Sequence, residues 1–117
     1  MDIETLRAYC LSKRFVTEGF PFDEATLVFK VAGKMFLLTG LNVQPLQFNV
    51  KCDPEKAIEL RENYTWVKPG YHMSKKHWNT VVADIDADEK MLFEFIDESY
   101  QLVYQSLPAK TRKEIEE

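Results

Sequence analysis

The stretch "LQFNVK", residues 46 to 51, alternates without a break: Leu46, Phe48 and Val50 fall on one side and Gln47, Asn49 and Lys51 on the other. Side chains of a strand point alternately to opposite faces, so this pattern specifies a strand with one dry face and one wet face. A sheet containing it can be covered by helices on one side only. The segment before it, "TLVFKVAGKMFLLTGL", reads as two β-rich runs hinged at Ala32-Gly33, a hairpin signal, and Pro45 marks the start of the alternating strand.

The remaining segments supply the cover. "DIETLRAYCLSKRF" places Ile3, Leu6, Cys10 and Leu11 at helical spacing behind Asp2 as a cap, and reads as an opening helix. "GFPFDEA" is punctuation. "CDPEKAIELRENY" is a strong helix start, with Asp53 as cap, Pro54 in the first turn and Glu55 set against the helix dipole; the helix is expected to end near Asn63. A loop containing Pro69-Gly70 leads to "HWNTVVADI", read as a strand with Val81, Ala83 and Ile85 inward. The longest helix follows, with Asp86 and Glu89 spaced as a capping box and Leu92, Phe95, Ile96, Ser99, Leu102 and Val103 as its apolar stripe. "PAKTRKEIEE" is expected as a polar, frayed tail. The order gives an α+β fold with helices packed on one face of an antiparallel sheet. It predicts one domain over residues 1–108 with a polar tail over 109–117.

At 117 residues and 45% hydrophobic the chain can bury one core. It contains no apolar run near the roughly 20 residues that span a bilayer, and its first residues lack the pattern of a signal peptide, so the expectation is a cytoplasmic protein without a membrane partner. Its two cysteines, Cys10 and Cys52, make neither a disulfide framework nor a paired-cysteine zinc site. Cys10 reads as core. Cys52 precedes a helix start, a position that lowers a thiol's pKa, yet no partner base stands nearby in the sequence.

Charge is divided between elements. Residues 25–52 hold Lys30, Lys34 and Lys51 and residues 63–83 hold Lys68, Lys75 and Lys76, with no acid in either segment, whereas the whole chain carries 19 acidic residues and a net charge of −4. Within a Debye length of roughly 10 Å a local cationic patch outweighs that net charge. The stretch "GYHMSKKHWNT" concentrates the candidate chemistry. Lys75 and Lys76 can face an anion, His77 adds charge when protonated, Asn79 offers amide hydrogen bonds, and Tyr71 and Trp78 can stack on bases, although large aromatics more often anchor such a loop on the core. His72 and His77 lack the further ligands that a zinc site needs, and a lysine pair by itself is usually a solvated surface.

The runs "TEGFPFDEATLVFKVAGKMFLLTGL", "FNVKCDPEKAIELRENY", "PGYHMSKKHWNTV" and "IDESYQLVYQSLP" resemble successive motifs of the MmcQ/YjbR family of small bacterial proteins, from about residue 2 to about 108. The resemblance implies a fold like that of the frataxin homologue CyaY, two helices on an antiparallel sheet, and DNA binding through a double-wing arrangement. The nucleic-acid-binding set expected on these grounds is Lys30, Lys51, Tyr71, His72, Lys75, Lys76, His77, Trp78 and Asn79. No phosphate-cradling glycine loop, nucleophile elbow or metal motif is present, so a non-enzymatic protein without cofactor is expected, as monomer or weak dimer. The alternative partner is a protein or a small phosphorylated ligand. More remote is weak iron binding at the acidic set Asp84, Asp86, Asp88, Glu89, Glu94, Asp97 and Glu98.

Overall fold

A computed structural model describes residues 1–70 and 73–116. Six antiparallel strands form one sheet in the order β1-β2-β3-β4-β6-β5: β1 Val16–Gly19, β2 Thr26–Val31, β3 Lys34–Gly40, β4 Gln47–Lys51, β5 Val67–Pro69 and β6 Trp78–Val82. Helices α1 (Ile3–Leu11), α2 (Pro54–Asn63) and α3 (Glu89–Ser106) pack on the sheet, and α4 (Ala109–Glu116) follows α3. The α+β architecture with helices on one sheet face is the one the alternation of residues 46–51 demands.

Local chemistry explains most of the boundaries. Asp2 accepts from the Thr5 N–H at 2.8 Å and opens α1, which ends at Leu11, short of the expected Phe15. Asp53 accepts from the Lys56 N–H at 3.2 Å and Pro54 begins α2. Ala32 and Gly33 take positive φ of 47° and 86°, the two left-handed residues of a tight hairpin whose twist matches that of its strands. The Gln44–Pro45 peptide is cis.

Five expectations are corrected. The cap of α3 is Asp88, which accepts from the Met91 N–H at 3.0 Å, while Asp86 is held in the preceding turn, its N–H donating to Asp84 Oδ1 at 2.9 Å. Ile85 does not face inward: it is 98% exposed, because β6 ends at Val82 and the chain turns away. On α3, Tyr100 rather than Leu102 completes the buried stripe, since the sheet meets a face rotated toward Ile96 and Val103. Strands β1 and β5 were not anticipated, being four and three residues long. The expected frayed tail is helical, although no residue of α4 is buried.

The core lies between the sheet and α1, α2 and α3, around Leu6, Cys10, Phe29, Leu37, Phe48, Val81, Leu92 and Ile96. A bulge shapes its centre. The β2–β3 register passes from Phe29↔Leu37 to Lys30↔Met35, so Phe36 is the extra residue. Phe36 is fully buried and meets the Tyr100 ring edge-on at 5.5 Å. Its carbonyl accepts from the Ser99 hydroxyl at 2.5 Å, and the same Oγ accepts from the Lys51 N–H at 2.8 Å. Continuing the β3–β4 register beyond Leu37↔Val50 would pair Phe36 with Lys51 directly. Ser99 is thus a one-atom splint between two strands, reaching in from α3.

Candidate nucleic-acid interface

The register defines what the sheet shows on the side away from the helices. One row runs Gly19, Val28, Leu38, Asn49, Thr80 and Lys68 across all six strands. Two residues along lie Thr17, Lys30, Met35, Lys51 and Trp78. Thr26, Gly40, Gln47 and Val82 complete the face in the other direction. These positions include three lysines and no carboxylate. Glu18, the one acid in a strand, points to the helical side and is bound by Arg7 of α1 at 2.6 Å. Lys30 and Lys51 stand two strands apart in one row, about 10 Å by ordinary strand spacing, and Lys68, also two strands from Lys51 but two residues along, stands about 12 Å from it.

The loop after β5 continues the cationic surface at one end of the sheet. The His77 N–H and the Trp78 N–H both donate to the Ser74 carbonyl, at 3.1 and 2.9 Å, closing a turn that presents Lys75 and Lys76 as exposed residues. The turn is held from two sides. The Arg61 guanidinium of α2 donates to the Lys75 carbonyl at 2.7 Å, and the Cys52 N–H donates to the His77 carbonyl at 2.7 Å. Gly70 is necessary where it stands, because an added Cβ would lie 2.7 Å from the Trp78 carbonyl oxygen. Its own N–H donates to that oxygen at 2.9 Å.

The expected residues therefore separate. Lys30 and Lys51 share the open sheet face, with Lys75, Lys76 and the half-buried His77 at its end. Trp78 is on that face but only 8% exposed, so it anchors the loop rather than offering a stacking platform. Asn79 leaves the surface: it is 1% exposed on the core side, its Nδ2 donating to the Ala57 carbonyl of α2 at 3.4 Å. Alternation in β6 explains this, since the residue after an outward Trp78 must point inward. Tyr71 and His72 lie outside the described residues. The expected set lacks Lys68 and Thr17, which only the pairing of β5 and β1 brings onto this face, and Thr80, which alternates outward between Asn79 and Val81 in β6 and donates to Asn49 Oδ1 at 2.6 Å.

Neither cysteine is poised to react. Burial pushes the Cys10 thiol up to about 12 and raises that of Cys52 also. The acidic set is largely occupied in structure: Asp84 and Asp88 accept backbone N–H groups, Asp97 pairs with Lys13 at 2.5 Å, and Glu98 with Lys56 at 2.6 Å. Among the described residues no group of three or more His, Cys, Asp or Glu is arranged to hold a metal ion, and no helix is long and apolar enough to cross a membrane.

Comparison with known proteins returned a consistent set. The YjbR family model matches residues 11–102. The uncharacterised protein YbdF of Escherichia coli O157:H7 is 35% identical over 113 residues, covering 96% of this chain and 92% of that protein. The uncharacterised protein YjbR of Escherichia coli K12 is 29% identical over 113 residues, covering 97% and 96%. Among solved structures, Deinococcus radiodurans DR2400, with a DUF419 domain, superposes with a TM-score of 0.92 at 39% identity, over 97% of this chain and 86% of the other.

Proposed function

The chain belongs to the YjbR family, and on that premise we propose that it binds nucleic acid through the open face of its sheet and the loop at the end of that face. The observation that carries this reading is the segregation of charge by face. Lys30, Lys51 and Lys68 stand on a sheet surface without a carboxylate, and Lys75 and Lys76 extend it, while the acidic residues of α2 and α3 lie on the opposite side of the molecule. An ammonium group facing a phosphate gains by counterion release whatever the base sequence. Thr17 and Asn49, between the lysines, supply a hydroxyl and an amide for phosphate oxygens or base edges, while the buried Thr80 holds Asn49 in place through its hydroxyl.

The chemistry is binding, with no bond made or broken, and the number of ammonium groups sets its strength. Five phosphate contacts give a slope of log K against log salt of roughly −4.5 for duplex and roughly −3.5 for single strands. Fluorescence anisotropy with labelled duplex and single-stranded DNA at several salt concentrations measures it. The Lys75→Glu, Lys76→Glu double variant should weaken binding and reduce the slope by about 2, and Lys30→Glu with Lys51→Glu should do the same. Absence of binding by the native chain at low salt defeats the proposal and transfers this face to a protein or small phosphorylated partner.

A further inference from the structure

On the helical side, away from the lysine-bearing sheet face, the chain leaving α1 and the C-terminal half of α3 form an open cleft of about 320 Å³ lined by Ser12, Lys13, Arg14, Phe15, Tyr100, Gln101 and Tyr104; Tyr100 is mostly buried and gives it only the edge of its ring. Its volume is within the range of small-molecule sites. Three of these residues are aromatic and two are cationic. Its walls are held in place. The Tyr100 hydroxyl donates to the Arg14 carbonyl at 2.7 Å, and the Ala32 N–H donates to the Phe15 carbonyl at 3.0 Å, tying the turn to α3 and to the β2–β3 hairpin. The Tyr100 and Tyr104 rings are stacked at 6.1 Å.

Two further observations point to a ligand. Phe15 takes a φ of 64° and stays 39% exposed, so a bulky residue is held in left-handed backbone without being buried in return. At the rim the Tyr104 hydroxyl already donates to a carboxylate, that of Glu116 from α4. The cations divide their roles. Lys13 is neutralised by Asp97 at 2.5 Å and lies over the Tyr9 and Tyr100 rings at 4.9 and 5.1 Å. Arg14 has no carboxylate within ion-pair distance among the described residues; its guanidinium lies over the Phe15 ring at 5.0 Å.

We infer that this cleft is a binding site for a small planar aromatic acid, its ring set against Phe15, Tyr100 and Tyr104, and its anionic group taken by the Arg14 guanidinium and the Tyr104 hydroxyl in place of Glu116. A guanidinium fork matches a carboxylate in two parallel hydrogen bonds, and aromatic walls favour a flat ligand over an aliphatic acid of equal charge. The site shares no residue with the proposed nucleic-acid face, so the two stand or fall separately.

Isothermal titration of the full chain with indole-3-carboxylate, and with hexanoate as the aliphatic comparison, tests it. The expected result is saturable binding of the aromatic acid at a Kd below about 1 mM, at least tenfold tighter than hexanoate. Arg14→Gln should weaken it tenfold or more, and Glu116→Gln should tighten it a few-fold by removing the competing carboxylate. Amide shift changes confined to residues 12–15 and 100–104 would place the ligand. No saturable binding by either the native chain or Glu116→Gln, or binding unchanged in Arg14→Gln, overturns the inference; both variants are at exposed residues, so their thermal transitions will confirm that they remain folded.

Discussion

Ser99 shows how much can depend on one hydroxyl. It is fully buried, yet its Oγ serves as donor to the Phe36 carbonyl and acceptor from the Lys51 N–H. Replacing it with alanine would strand one buried carbonyl and one N–H, and Ser99→Ala is expected to lower unfolding free energy by about 1–3 kcal/mol, read from urea midpoints. An exposed control, Ser12→Ala, should change it by less than about 0.5 kcal/mol. Two weak acids, the buried Cys10 and the partly buried Tyr9, set the alkaline limit. Burial pushes the Cys10 thiol to about 12, and burial followed by the hydrogen bond to Asp97 pushes the Tyr9 hydroxyl to about 12. Both groups are neutral in the folded chain and ionise more easily when unfolded. Their stabilisation is complete below the ordinary values of 9.0 and 10.0 and is lost as pH rises through about 12, so urea midpoints should fall steadily above pH 9. Midpoints that hold level from pH 8 to 11 would contradict it.

At the scale of elements, the legible parts of the sequence were those where one residue type has one local use. Asp53-Pro54 gave a helix start, Ala32-Gly33 a hairpin, and residues 46–51 a strand with a wet face, and all three stand in the structure. Elements were missed where their stability comes from neighbours distant in sequence: β5 has three residues and exists by pairing with β6, and β1 by pairing with β2. The cap of α3 was misplaced because three aspartates, Asp84, Asp86 and Asp88, alternate before it and only the turn geometry chooses among them. Asp88→Ala should therefore cost about 1 kcal/mol, whereas Asp86→Ala should be nearly neutral; equal effects would reassign the cap. In the hairpin, Ala32 carries left-handed backbone that asparagine tolerates better, and Ala32→Asn should stabilise the chain by about 0.5–1 kcal/mol in thermal or urea unfolding.

For the whole molecule, one core joins the sheet to α1, α2 and α3, and α4 contributes no buried residue to it. Removal of residues 109–117 should leave a single cooperative unfolding transition with its midpoint shifted by only a few degrees, whereas a shift above about 10 °C would place α4 in the cooperative unit. The candidate interface was partly legible at this scale. Sequence segments without acid foretold a cationic surface, but which residues share it depends on the strand order, which put Lys68 beside Thr80 and turned Asn79 inward. The shape of the sheet also bears on how crowded copies of the chain behave. An open sheet ordinarily exposes two free ladders on which another chain can add a strand and start a fibre. Here one margin is four residues long and the other three, ending in Pro69, which has no N–H to give. A second copy docking at either margin would gain few hydrogen bonds, and the closing of the sheet by such stubs is itself a guard against polymerisation.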